Sequence, residues 1–162
     1  MRWSATGRGW GLHADEAITA GDLVGSYAGS FVTSADARAR LAEYDAAEGG
    51  HALLVARCWL PSGRGALRIN IDATRTGNAL RFANHACGRA ANMATQVVLR
   101  RGCALPFVVL VAARDVGAGE ELTFDYGGAE GREGGGGQEA GGRVRCLCGG
   151  ADCGGWLPAG AV

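Results

Sequence analysis

The sequence predicts a mostly β fold with a small metal-binding tail, and three observations carry that prediction. Short apolar and β-branched runs alternate with Gly, Pro and Asp along most of the chain. Only one segment has the length and composition of a full helix. Near the C-terminus three of the six cysteines crowd together as Cys146-x-Cys148 followed by Cys153. The 162 residues suffice for one hydrophobic core and not for two independent ones.

Taken in chain order, strands are expected over Trp10 to Ala14, Leu23 to Val32, Ala52 to Trp59, Ala66 to Ile71, Thr95 to Arg101 and Pro106 to Ala113. The helix is expected from Ser34 to Ala47, where Ala and Leu dominate, Thr33 or Ser34 can cap, and Gly49-Gly50 stops it. Asn78 to Ala83 reads as a shorter helical turn. Gly127 to Gly142 is rich in Gly and low in apolar residues, so it buries too little surface to offset its ordering entropy. It divides the chain into a main domain, residues 1–127, a flexible connector, 128–144, and a tail, 145–162. No internal repeat is visible.

Formal net charge is zero, so no global field attracts nucleic acid or anionic membrane. All sixteen basic residues are Arg. The longest apolar run, Leu105 to Ala113, is about half of what a bilayer requires, and the N-terminus lacks a signal-peptide pattern. A soluble intracellular protein is expected. In a reducing compartment the clustered cysteines read as metal ligands: zinc takes soft thiolates tetrahedrally, and Cys146, Cys148 and Cys153 supply three of four positions. Cys58 and Cys103 read as buried thiols within apolar strands, and His13 and His51 as structural or surface residues.

Two stretches combine residue types that packing alone would not unite: Arg81-Phe82-Ala83-Asn84-His85-Ala86-Cys87, and Glu121-Leu122-Thr123-Phe124-Asp125-Tyr126-Gly127. In this order they resemble the N-H-x-C and E-L-x-F-D-Y signature of SET-domain protein lysine methyltransferases. Gly9-Trp10-Gly11 resembles the family's cofactor-binding segment, and Tyr27 matches the tyrosine of its E-Y-x-G-E. The order of these pieces, with Cys-x-Cys and Trp156-Leu157-Pro158 at the end, is similar to the Su(var)3-9 subgroup with a post-SET zinc motif; its cysteine-rich pre-SET region is not matched.

The resemblance implies the SET fold, small curved sheets with a knot-like crossing of the C-terminal segment under the Asn84–His85 loop. It implies S-adenosylmethionine held by Arg8, Gly9, Trp10, Tyr27, Asn84, His85 and Trp156, and zinc closed by Cys87 with Cys146, Cys148 and Cys153. Tyr126 becomes the catalytic hydroxyl, and Phe124 sets the room around the substrate lysine and implies products beyond monomethyl. The substrate class is a histone tail or other lysine-containing protein, with the nucleus and chromosome as the implied place of action. Ala52 and Thr76 stand where the subgroup lines its lysine channel with tyrosines, and the N-H-x-C-x-P-N loop is lengthened here, ending at Asn92. A second reading stays open: a catalytically weak SET module that binds cofactor or peptide as a chromatin scaffold. A zinc-stapled β interaction domain without a cofactor pocket is a third.

Overall fold

A computed structural model describes residues 1–4, 7–46, 50–60, 62–127 and 144–158. Alternating apolar residues give three small sheets. Strands β1 (Arg2–Ser4) and β2 (Gly9–Gly11) form an antiparallel ribbon. Strands β3 (Leu23–Ser26) and β4 (Ser30–Val32) follow, then helix α1 (Ser34–Ala46), β5 (Leu53–Trp59) and β6 (Ala66–Asp72). A short 3₁₀ turn, Ala79–Phe82, leads into β7 (Asn84–His85), a second, Gly88–Ala90, precedes β8 (Met93–Val98), and β9 (Phe107–Ala112) and β10 (Thr123–Phe124) complete the order. The larger sheets run β4-β6-β5 and β3-β9-β8-β10-β7. No described helix is long and apolar enough to cross a membrane.

The expected strand from Leu23 to Val32 is two strands in different sheets. The break falls at Gly29, where a Cβ would lie 2.7 Å from the Asp72 carbonyl oxygen and from the Ile71 side chain. Only glycine lets the backbone cross so closely from one sheet to the other. The expected Thr95 to Arg101 strand starts earlier and stops at Val98, because Arg100 to Gly102 forms the β8–β9 turn, with Gly102 at φ 83°. Asn78 stays extended, so the expected helical turn shrinks to Ala79–Phe82. The helix begins where expected: Thr33 Oγ1 accepts the Asp36 N–H at 3.1 Å, a cap bond that meets one of the free donors of the first turn. Its expected last residue, Ala47, and all but the last of the connector residues 128–144 lie outside the described residues.

The core is contiguous between the two larger sheets. Ile71, Leu110, Val108, Met93 and Val116 are fully buried at its centre, with Leu54, Ile69, Leu80, Leu122 and Phe124 around them. Cys58 is half-buried against this core, whereas Cys103 is exposed beside the β8–β9 turn and not a buried strand thiol. The turn reverses before Phe107 and carries Cys103 away from the sheets.

Helix α1 buries only Ala37 and Tyr44, too little apolar surface to hold it by itself. A polar anchor does the rest. Asp72, 2% exposed at the end of β6, accepts the Tyr44 hydroxyl at 2.8 Å, Arg40 Nη1 at 2.7 Å and the Thr74 N–H at 2.9 Å. Burial by itself would push this carboxyl up; the Arg40 guanidinium, the Thr74 N–H and hydroxyl and the Tyr44 hydroxyl outweigh it and hold the group at about 2. The Asp72 contribution to stability is therefore complete above the ordinary carboxylate range and is lost as pH falls through about 2. Asp72→Asn is expected to lower the unfolding free energy by about 2 kcal/mol in urea titrations at neutral pH, and the gap from wild type should narrow on acidification; a gap independent of pH would count against this anchor.

Candidate active site and cysteine cluster

The last strand brings the two signature stretches together. Strand β10 pairs in parallel with β7, Thr123 opposite Asn84 and Phe124 opposite His85, and on its other side pairs with β8 at Met93. It thus fills the gap that the 86–92 connection spans, which is the expected crossing. Two side chains hold it there. Buried Asn92 donates to the Glu121 carbonyl at 2.8 Å and to Glu120 Oε1 at 3.0 Å, and its Oδ1 accepts the Thr123 N–H at 2.8 Å. Asp125 accepts the Gly88 N–H at 2.9 Å on one oxygen and the Gly127 N–H at 3.0 Å on the other. The loop after Cys87 coils through the Gly88–Ala90 turn and delivers Asn92 to the strand.

Tyr126 leaves β10 with its ring 4.8 Å from that of Phe124 and 5.2 Å from that of His85, and its hydroxyl donates to the Ala83 carbonyl at 2.9 Å. Burial, reinforced by the nearby Tyr27 and Glu121, holds the phenol well above its ordinary value. Tyr27 is itself buried, and desolvation pushes it up to about 12. Both stay neutral O–H dipoles at any physiological pH. Buried His85 is pulled below the ordinary imidazole value by desolvation, against the opposing Asp125 carboxylate 3.9 Å away. Its Nδ1 accepts the Tyr126 N–H at 3.2 Å, and its Nε2 lies 3.1 Å from Cys87 Sγ.

A second group of contacts surrounds Asn84. Its Nδ2 donates to the Trp10 carbonyl at 3.3 Å and to Glu121 Oε1 at 2.8 Å, so both amide hydrogens are used and Oδ1 is left to accept. Glu121 Oε2 takes Arg8 Nη2 at 2.6 Å. A Cβ on Gly11 would stand 2.6 Å from Glu121 Oε1, so any larger residue there would push the Glu121 carboxylate out of its present place. Gly9, at φ 71°, turns the chain into β2. Arg8 Nε is buried without a hydrogen-bond partner, a donor whose desolvation nothing offsets among the described residues. Glu121, which joins Arg8 to Asn84, was not among the residues singled out from sequence, although it heads the second signature stretch.

Four sulfurs converge beside this site. Cys87, Cys146, Cys148 and Cys153 offer Sγ atoms all within 4.8 Å of one another, and all four are free thiols. Cys87 Sγ is 3.7 Å from Cys146 Sγ and 3.8 Å from Cys153 Sγ. Burial raises the Cys87 and Cys146 thiols, whereas hydrogen bonds to Cys148 outweigh its burial and lower that one. The donor set suits zinc, which holds four thiolates tetrahedrally. The tail that carries three of them sits close on the main domain: a Cβ on Gly150 would meet Ala90 Cβ at 2.7 Å, and one on Gly7 would meet Leu147 Cδ1 at 3.8 Å.

Other residues named from sequence lie less centrally. Trp10 is 53% exposed and packs edge-on against Trp3 at 5.6 Å, so its carbonyl, not its ring, reaches Asn84. Trp156 is 43% exposed with the Arg145 guanidinium 5.7 Å over its ring. His13 Nδ1 lies 3.2 Å from the Gly11 carbonyl and His51 stacks on Tyr44, as structural roles require.

Residues 9–127 match the SET domain. The chain belongs to the SET-domain family. It is 41% identical over 155 residues to histone-lysine N-methyltransferase SUVR3 of Arabidopsis thaliana, covering 93% of this chain and 42% of that protein. It is 33% identical to histone-lysine N-methyltransferase SUV39H2 of Xenopus tropicalis, covering 93% of this chain and 37% of the relative. The chain therefore spans less than half the length of these relatives. Among solved structures it is similar to the methyltransferase domain of human SETMAR, with a TM-score of 0.75 and 27% identity over 94% of this chain and 55% of that one. The structure of KRYPTONITE in complex with mCHG DNA and SAH gives 0.68 and 30% over 96% of this chain and 28% of that one. As a SET domain, the chain has its two signature stretches where β7 and β10 pair, and Glu121 takes its place in the second.

Elemental analysis of the purified protein is expected to find one zinc per chain. The double substitution Cys146→Ser, Cys148→Ser should leave it without zinc, and equal zinc in wild type and variant would rule out the cysteine cluster as the site.

Proposed function

We propose that this SET domain is an S-adenosylmethionine-dependent protein lysine N-methyltransferase acting on histones. The observation that carries the reading is the half-buried, neutral Tyr126 hydroxyl next to the Asn84–His85 strand, with Arg8 and Glu121 ordered at its edge. Relatives named histone-lysine N-methyltransferase support the activity, and the SAH in the KRYPTONITE structure supports the cofactor. The residues fit such a ligand. Asn84 Oδ1 is a positioned acceptor for its ammonium, and the buried Arg8 Nε is a donor in want of an acceptor.

When bound, S-adenosylmethionine supplies an electrophilic methyl on a sulfonium. Arg8, backbone groups of Gly9 and Trp10, Tyr27, Asn84 and His85 would hold it, with Trp156 covering it from the tail. The protein's share of the chemistry is positioning and exclusion of water. A substrate lysine, ordinarily near 10.4, has to arrive neutral, and an apolar channel beside a cationic ligand depresses its pKa by desolvation and like-charge repulsion. Tyr126 presents a hydroxyl dipole to the reacting amine. Phe124, buried against Tyr126, adds no second hydroxyl there, which favours products beyond monomethyl. Cys87, Cys146, Cys148 and Cys153 would bind zinc and fix the tail. We divide the chain accordingly into a SET domain, residues 1–127, a connector, 128–144, and a post-SET zinc motif, 145–162. A histone substrate places the protein at chromatin in the nucleus.

Calorimetry with S-adenosylmethionine and zinc-loaded protein is expected to show one site, and labelled methyl groups should pass to core histones. Tyr126→Phe should retain binding and reduce kcat by roughly 10²-fold or more. Absence of binding would overturn the proposal; binding without transfer would leave the cofactor-binding scaffold, to which Ala52 and Thr76 at the channel positions point; equal transfer by Tyr126→Phe would remove that residue from the mechanism.

A further inference from the structure

The cysteine cluster and Tyr126 share one side chain. Nδ1 of His85 accepts the Tyr126 backbone N–H at 3.2 Å, and a backbone N–H can only donate. A neutral imidazole with a bare Nδ1 carries its proton on Nε2, which lies 3.1 Å from Cys87 Sγ. One buried ring thus donates to a metal-ligand sulfur and accepts from the residue bearing the proposed catalytic hydroxyl. Its two partners are 2 and 41 positions away in the chain.

We infer that His85 is a positioning residue that couples metal occupancy of the cysteine cluster to the placement of Tyr126. The inference rests on the zinc reading of the cluster given above. Four thiolates around a dication carry a net charge of about −2, which a half-buried site offsets with N–H donors. Gly150 N–H faces Cys148 Sγ at 3.5 Å and Gly155 N–H faces Cys153 Sγ at 3.4 Å; the His85 ring is the side-chain donor for Cys87. With the cluster filled, Cys87 is a thiolate and its bond from Nε2–H becomes charge-assisted. Polarisation of the ring then makes Nδ1 a better acceptor, and the Tyr126 N–H is held more firmly. Zinc therefore does more than staple the tail: through His85 it orders the backbone of Tyr126, whose hydroxyl rests on the Ala83 carbonyl.

Two substitutions separate the two ends of the ring. In His85→Asn a side-chain oxygen replaces Nδ1 and nothing reaches Cys87, whereas in His85→Gln the amide nitrogen reaches the Nε2 position and the acceptor for Tyr126 is lost. Chelator competition on the full chain is expected to show zinc affinity falling about 10-fold or more in His85→Asn and staying near wild type in His85→Gln. In ¹⁵N spectra the Tyr126 amide should shift on zinc loading in wild type and lose that response in His85→Gln. A measurement free of substitution is the histidine side-chain ¹⁵N spectrum of zinc-loaded wild type, which should show protonated Nε2 and bare Nδ1. A wild type that takes up no zinc overturns the zinc reading and this inference with it. Zinc uptake with the opposite tautomer, with undiminished affinity in His85→Asn, or with a Tyr126 amide that ignores zinc overturns this inference alone.

Discussion

Everything at the site depends on a two-residue strand lying between two others. Strand β10 contributes only Thr123 and Phe124, yet it pairs with β7 on one side and β8 on the other. So short a ladder is weak by itself. Its position is secured by side chains: Asn92 makes three hydrogen bonds to the Glu120–Thr123 segment, and Asp125 ties the Gly88 and Gly127 amides. Threading a chain end through a loop is rare because the loop must close around it. Here the closure places Asn84, His85, Glu121 and Tyr126 together although they come from two distant parts of the sequence.

Charge is distributed unevenly across this site. Tyr126, Tyr27 and His85 are held neutral by burial, while Arg8 and Glu121 meet at its partly exposed edge. An ion pair at that edge costs less desolvation than one beside Tyr126 would. It also fixes the Asn84 amide, since Glu121 accepts from Nδ2 and leaves Oδ1 as the acceptor.

Legibility in the sequence followed how local each signal was. The helix, strands β5, β6 and β9 and the cysteine spacing are written in contiguous residues, and there the expected and observed bounds agree to within a residue or two. The split at Gly29 was not, because the reason for it is the approach of Asp72 and Ile71, over forty residues away. Strands β7 and β10 are too short to carry any periodicity; only the residue types Asn84-His85 and Phe124-Asp125-Tyr126 marked them. The role of Glu121 is not legible in sequence, since a carboxylate at the start of an apolar strand usually meets solvent, and its partners Arg8 and Asn84 are known only once the crossing is made. Cys103 looked apolar from its neighbours and turned out exposed, as the turn, not the composition, decides where it points.

The tail illustrates how covalent distance and spatial constraint separate. A long glycine-rich connector before Cys146 raises the entropy of bringing the tail home, but only logarithmically with length. Against that small term stand contacts that do not depend on the connector at all: Gly150 fits over Ala90 where no larger residue could, Leu147 lies beside Gly7, and three cysteines meet Cys87. Ala90 ends the short turn in the loop after Cys87, so that turn supplies the surface on which the tail rests. The Cys87 end of that loop also reaches His85, and through it Tyr126. Loop, tail and β10 are therefore one mechanical unit, and a change in any of them has to be judged by what it does to the other two.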